Sequence, residues 1–469
     1  MPAKQKHLKI FFSGIGGSGV SAIAAFMAVR GHEVSGSDRA FDLDQTHPVA
    51  KFLRNQNMKI VPQDGSGIDR SLDFAVMSTA VEDGTPEVVQ ARLLGIELKT
   101  RPQYLVELAS DFKTIAVAGT SGKSTASGCL AFLMKELGLA PNFIGGGRVK
   151  AFKTGGNPGN SIANANGKKN KKTSTGGPEW LVLEACESDG SIVNYKPLHS
   201  VILNLDVDHK GIEETALMFR ALASNTKGKV FINSDDKNLR GLHLDKAVTF
   251  GMDSPADFMA SDIRIGPFGS GFSVQGVDFT LSVPGAYNIY NALSAIAVLS
   301  VLGVPVKKIP GPLSGFTGID RRFDIHLNAG GKLVIDDYAH NPHKIGSFMQ
   351  AIKAVKDRVC YVFQPHGFGP VRMMKNEYIE AFAQNLRKED QLVLLPIFYQ
   401  GGTVCMDISS EDIARGVREA GKTAVAVSSR KDVLDMIDLW DCFVIMGARD
   451  ESLSLFAASL AEKIKNSSR

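Results

Sequence analysis

FKTIAVAGTSGKSTASGCLAFLMKELG, residues 112–138, reads as a buried strand, a glycine turn and a long helix. At the turn stands Gly119-Thr120-Ser121-Gly122-Lys123-Ser124-Thr125. In such a loop, backbone N–H groups cradle phosphates, a lysine neutralises β/γ charge, and a hydroxyl next to it is offered to magnesium. Val117, not glycine, stands five residues before Gly122, so the loop is a shorter GxxGKS form. The segment predicts binding of a nucleoside triphosphate. A bare glycine turn with an exposed lysine would explain neither the Lys-Ser pair nor the helix behind it.

Working outward toward the N-terminus, LKIFFSGIGGSGVSAIAAFMAVRG (8–31) repeats the strand–turn–helix pattern. Gly14-Ile15-Gly16-Gly17-Ser18-Gly19 matches GxGxxG, whose glycines let backbone amides approach a diphosphate. The next strand, EVSGSD, ends at Asp38, where an acid can bind ribose hydroxyls. FAVMST (74–79) and the tail of LGIELKT read as further strands, with a helix from Pro86 to Leu94. This motif does not separate NAD from another nucleotide diphosphate, and a ligand-free tight turn would share it.

Toward the C-terminus, pattern is lost between Gly145 and Pro178, and the KKNKK run (168–172) there reads as a solvated loop. Two strands then end in metal-type residues: EWLVLEACESD carries Glu184, Glu187 and Asp189, and HSVILNLDVDH carries Asp206, Asp208 and His209. Strand C-termini form the ligand crevice of an open α/β sheet, and carboxylates suit magnesium. For any single acid a helix cap or a salt bridge explains as much, but two clusters downstream of a phosphate loop favour a metal at Glu184 and His209. KVFINSDD (229–236), short β-like pieces over 245–283 and a helix at 288–303 complete this region. Beyond Asp320-Arg321-Arg322-Phe323, strands KLVIDDY (332–338), RVCYVFQP (358–365), QLVLLPI (391–397), AVAVSS (424–429) and CFVIMGA (442–448) alternate with helices. An arginine pair can stabilise a transferring phosphoryl group, or simply be solvated at a domain junction.

The expected architecture is three α/β domains in series: a Rossmann-like domain at 1–110, a P-loop-type ATPase domain at 111–319 and a Rossmann-like domain at 320–469. Composition agrees. The 469 residues are 44% hydrophobic and 22% charged, which excludes a disordered chain. A formal charge of +4 gives no sign of a nucleic-acid partner. Five scattered cysteines suggest reduced thiols, and neither a secretion signal nor a membrane span is read, so a cytoplasmic location is expected.

Taken in order, GIGGSG with VSGSD, AGTSGKST, EACESDGS, NLDVDH, VPGAYNIYNALSAIAV, GIDRRFD, DDYAHNP and FQPH resemble the Mur ligases of peptidoglycan synthesis, most closely their alanine-adding members. The resemblance spans nearly the whole chain. It implies that Gly16, Gly17, Ser18, Gly19 and Asp38 bind the diphosphate of UDP-N-acetylmuramate, with Ser78 and Thr79 beside it. Gly119 to Thr125 would hold ATP, with Lys123 and Ser124 on its phosphates and magnesium. Glu184 and His209 would hold a second magnesium. Asn288 and Asn291 would face adenine, Asp337 the ATP ribose, and Arg322 the phosphates. His340, His366 and Arg372 would meet substrate in the third domain, which presents the amino acid. The implied chemistry is phosphorylation of the muramyl carboxylate by ATP, followed by attack of an amine on the acyl phosphate.

The chain departs from the alanine-adding pattern at several positions. Ser121 stands for a usual histidine and Ser124 for a threonine that keeps the hydroxyl. Tyr287 and Asn341 replace histidines. After FQPH the pattern continues with two arginines expected to meet the amino acid, but this chain has Gly367 and Pro370, with Arg372 just beyond. Alanine is the expected acceptor, with a murein tripeptide as the alternative. Two readings from other classes stay open: a dinucleotide-dependent oxidoreductase, which leaves GTSGKST unexplained, and a non-catalytic nucleotide-binding regulator.

Overall fold

The computed structural model describes residues 7–44, 46–154, 157–164, 179–206, 210–242, 244, 247–399 and 405–467. His209 and the KKNKK run therefore lie outside the described residues. The chain forms two compact units, Met1–Ile319 and Asp320–Arg469. No described helix is long and apolar enough to cross a membrane.

The first unit contains two sheets. Strands β1 (Lys9–Ser13), β2 (Glu33–Ser37), β3 (Lys59–Ile60), β4 (Phe74–Met77) and β5 (Leu98–Thr100) are parallel in the order β3-β2-β1-β4-β5. The second sheet is built on β6 (Lys113–Ala118), β7 (Asn142–Ile144), β8 (Ser161–Ile162), β9 (Trp180–Glu184), β10 (His199–Ile202), β11 (Val230–Asn233) and β12 (Ala247–Gly251). Three further strands, β13 (Phe258–Gly266), β14 (Gly269–Val274) and β15 (Val277–Leu281), extend it as an antiparallel meander. The order is β15-β14-β13-β12-β11-β10-β6-β9-β7-β8. β6, β9 and β10 are apolar across most of their length because helices cover both faces of a parallel sheet. One apolar cluster runs from Ile10, Phe12 and Phe26 through Tyr104 to Leu181 and Leu183, so the two sheets share a core. At its edge, Arg30 donates to Glu179 at 2.9 Å and lies over the rings of Phe26 and Phe112.

The stretch read as patternless holds β8, which pairs antiparallel with β7. Its hold comes from asparagines: Asn164 N–H donates to Asn142 Oδ1 at 2.9 Å and Asn157 Nδ2 to the Ser161 carbonyl at 3.1 Å. Two residues stabilised by side-chain amides leave no alternation in the sequence.

The second unit has one sheet of β16 (Asp324–Ala329), β17 (Lys332–Asp337), β18 (Cys360–Gln364), β19 (Gln391–Leu394), β20 (Ala424–Ala426) and β21 (Cys442–Gly447). The order is β16-β17-β21-β18-β19-β20. β16 is an antiparallel edge strand, which the alternation of strands and helices did not predict. β21 is inserted between β17 and β18, so the three parallel C-termini lie side by side.

Arg321 fixes those ends. Its guanidinium meets Asp336 at 3.1 Å and donates to the carbonyls of Gly447 (2.6 Å) and Asp450 (3.1 Å). Arg321 and Asp336 are both buried, and removing one partner of such a pair leaves an uncompensated charge costing about 3–5 kcal/mol. Arg321→Met keeps the stem and the backbone strain at φ +56°, so it isolates the lost charge. We expect that loss of stability at pH 8, measured by urea unfolding of Trp440 fluorescence in a Trp180→Phe background. Burial pushes the Asp336 carboxyl up against the pull of Arg321. Without Arg321 it rises further above its unfolded value, so protonation favours the folded state and the deficit should shrink as pH falls toward 5. A variant within 1 kcal/mol of the parent at pH 8 would contradict the buried-pair account.

Candidate active site

The helix Lys123–Glu136 begins with no side-chain cap, and its cap residue Gly122 has φ +83°. Its first amides therefore have no intrahelical acceptor and bear the positive end of the helix dipole, an arrangement suited to phosphate. Gly122 is required on two counts: the left-handed backbone, and Asn291 Oδ1, which would lie 2.6 Å from an added Cβ. Lys123 Nζ donates to the Gly119 carbonyl at 2.6 Å and to both oxygens of Glu187, at 2.9 and 3.1 Å. The lysine side chain is 14% exposed and the glutamate 3%. Ser124 Oγ donates to Glu184 Oε2 at 3.2 Å, and Gly146 N–H to Glu184 Oε1 at 2.9 Å. From the end of β10, Asn204 Oδ1 accepts from Thr120 Oγ1 and from Ser121 N–H, both at 2.8 Å. The loop is thus braced from the ends of β9 and β10, the strands flanking β6.

A second loop forms at the end of β1. Asp38 accepts from Gly16 N–H at 2.7 Å and from Ala40 N–H at 2.9 Å, so its carboxylate holds the glycine turn and caps a short helix. The helix Ser18–Val29 lacks a side-chain cap, which leaves its first amides for a ligand. Ser78 N–H donates to the Ser13 carbonyl at 3.0 Å, placing Ser78 beside Gly14, while Thr79 is exposed. Gly16, Gly17, Ser18, Gly19, Asp38 and Ser78 therefore share the C-terminal edge of β1, β2 and β4. Two contacts tie this loop to the second sheet. Arg101 lies beside Gly19 and pairs with Asp189 at 2.8 Å. Asn160 Nδ2 donates to the Ser18 carbonyl at 2.8 Å.

In the second unit, Asp337 accepts from Phe323 N–H and Ala339 N–H, both at 2.8 Å, which shapes the turn that presents the exposed Arg322. Arg322 lies over the Tyr338 ring, and Tyr338 Oη accepts from Arg449 N–H at 3.3 Å. His340 and His366 are 5.5 Å apart between ring centroids. Burial pushes both imidazoles down to about 4, with the Arg449 charge adding to the effect on His366. Both are neutral at pH 7. Arg372 is committed elsewhere: its Nε donates to Asp407 at 2.9 Å and its Nη2 to the Cys405 carbonyl at 2.8 Å.

The first unit thus brings Lys123, Ser124 and Glu184 into one site, and Asn291 packs against the same loop. Asn288 is buried, donating to the Pro284 carbonyl at 2.7 Å and accepting from Asn291. Sequence reading missed Glu187 as the partner of Lys123, Asn204 as a brace, and Arg101, Asn160 and Arg449 altogether. Glu187 alone carried a signal, as a second carboxylate just past a strand that neighbours the lysine loop. The others depend on contacts across 80 or more residues, or on backbone geometry that sequence does not display.

Comparison with known proteins fits this layout. The Mur ligase family catalytic domain matches residues 9–113, the Mur ligase middle domain 117–299, and the Mur ligase glutamate ligase domain 321–449. A UDP-N-acetylmuramate–L-alanine ligase of Geobacter sp. (strain M21) is 33% identical, covering 91% of this chain and 90% of its own. A protein of the same name from Sulfurihydrogenibium sp. (strain YO3AOP1) is 31% identical over 94% and 95%. The crystal structure of a UDP-N-acetylmuramate–alanine ligase from Thermotoga maritima superimposes with a TM-score of 0.79 at 25% identity, covering 99% of this chain and 100% of that one. A murein peptide ligase from Psychrobacter arcticus shares the fold, with a TM-score of 0.69 at 21% identity over 98% and 99%. With three family domains in order along almost its full length, the chain belongs to the Mur ligase family.

Proposed function

We propose that this chain is an ATP-dependent ligase joining L-alanine to the carboxylate of UDP-N-acetylmuramate in peptidoglycan precursor synthesis. Its relatives of that name cover nine-tenths or more of both chains. The observation that carries the reading is the phosphate loop, with Lys123 held between Gly119 and Glu187 at an uncapped helix N-terminus. A dinucleotide-dependent oxidoreductase would have no use for it.

The muramyl carboxylate oxygen bonds to the γ-phosphorus of ATP and ADP leaves. The amine of alanine then bonds to the carbonyl carbon, and phosphate departs with the oxygen that came from the carboxylate. Neither step needs a nucleophilic side chain. The protein's part is to position anions and spread their charge. Lys123 and the amides of residues 122–125 would hold the transferring phosphoryl group, and the first glycine loop would hold the UDP diphosphate. Arg322 is the further phosphate-binding cation implied by the family resemblance.

Support for magnesium comes from donor chemistry. A hydroxyl and a carboxylate oxygen, Ser124 Oγ and Glu184 Oε2, stand 3.2 Å apart beside the phosphate cradle, and hard oxygen donors suit this ion. Among the described residues no group of three or more metal-type side chains converges. When bound, magnesium would neutralise phosphate charge. His209 is the further ligand implied by the family resemblance.

Phosphate release from ATP with UDP-N-acetylmuramate and a panel of acceptors tests the function: alanine should release it, whereas release with a peptide alone would move the acceptor to the murein tripeptide. Lys123→Ala should slow that release several hundredfold while UDP-sugar binding, measured by calorimetry, stays largely intact, because the two cradles are separate. Removing one charge aimed at the transferring group costs roughly 3–4 kcal/mol, or several hundredfold in rate. Glu184→Ala should raise the magnesium concentration needed for half-maximal rate. Combining it with His209→Ala should add little, since both would serve one ion. Additive losses would assign one of the two a purely structural role.

A further inference from the structure

Arg449 stands just past β21, the central of the three strands whose C-terminal ends meet in the second unit. Its φ is +66°, a region that favours glycine and that other residues occupy at a cost in backbone energy. Such strain persists where the surroundings impose it, commonly at ligand clamps. The residue is exposed, and among the described residues its guanidinium has no carboxylate or carbonyl partner; only its backbone N–H is engaged, by Tyr338. The next residue, Asp450, does not neutralise it. That carboxylate accepts from Arg430 at 2.5 Å and from Ser452 N–H at 2.9 Å.

The side chains packed near it from β17, β18 and their loops do not oppose its charge. His340 and His366 are neutral, and Arg322 shares Tyr338 with it. The patch is therefore cationic, and it lies where open α/β sheets bind ligands, at the strand C-termini on either side of an inserted strand. Both phosphate-bearing substrates have cradles in residues 1–319, built from helix N-termini and Lys123. The free amino acid brings the one other anion, a carboxylate, which a planar guanidinium meets with two parallel hydrogen bonds. Arg372, the arginine that follows the FQPH segment, is already paired with Asp407.

We propose that Arg449 binds the carboxylate of the incoming amino acid, and so sets acceptor specificity. This inference rests on the ligase reading above. The test compares L-alanine with L-alaninamide, which keeps the amine and lacks the carboxylate. Arg449→Gly is the informative variant, because glycine suits φ +66° and folding is not at issue. It should raise the KM for L-alanine about ten- to a hundredfold, the range carried by a charge-assisted hydrogen bond. The KM for ATP and for UDP-N-acetylmuramate should stay unchanged, and the preference for alanine over alaninamide should collapse by the same factor. Arg449→Lys should recover part of that preference. An alanine KM within twofold of the parent, or a rise confined to ATP or the UDP-sugar, would overturn the assignment. So would Arg372→Ala raising the alanine KM while Arg449→Gly does not. Failure of the parent chain to use alanine at all would instead sink the alanine reading on which this inference rests.

Discussion

An ammonium and a carboxylate withdrawn together from water are the constraint on which the first unit depends. Lys123 and Glu187 are largely desolvated, so each needs the other, and the loss of either would strand a charge. Their meeting requires β6 and β9 to be adjacent, parallel and in register, with Val117 opposite Glu184. The sheet thus has its order where the chemistry needs it. The same register sets Glu184 against Ser124, and β10 on the other flank delivers Asn204 to the back of the loop. The pairing also holds the lysine extended within the cradle before any phosphate arrives, which lowers the ordering cost when one does.

The second unit solves a related problem with backbone strain. Arg321, Phe323 and Arg449 all have positive φ, and all surround Tyr338 or the ends of β17 and β21. Arg321 is the anchor, with its guanidinium saturated by Asp336 and two carbonyls. Arg322, one residue on, is turned outward because Asp337 accepts from the amide of Phe323. An arginine pair that sequence reads as one feature is thus split into a buried brace and an exposed cation.

Much of the fold was legible. The helix predicted from Pro86 to Leu94 has those bounds, and the strand–turn–helix reading of 112–138 holds, since buried runs between glycine turns leave a strong trace. The β8 strand left none because asparagine side chains, not alternating apolar residues, stabilise it. The edge strand β16 was hidden for a similar reason: its pattern of burial is irregular and its pairing with β17 is broken by a bulge. At the site, Lys123, Ser124 and Glu184 were named from local motifs. Asp38 was read as a ligand of the UDP-sugar; the structure adds that it holds the glycine turn, a role that only the 2.7 Å contact with Gly16 reveals. Arg449 follows a glycine and an alanine in an unremarkable GARD sequence, and only its left-handed backbone and uncontested charge single it out.

All of these parts serve one claim, that ATP activates the muramyl carboxylate before the amine attacks. The direct measurement is to follow the oxygens. UDP-N-acetylmuramate labelled with oxygen-18 at both carboxylate positions is turned over with ATP and alanine, and the released phosphate is analysed by mass. An acyl phosphate requires one labelled oxygen in each phosphate released and one retained in the new amide. Phosphate free of label, alongside full product formation, would contradict the account.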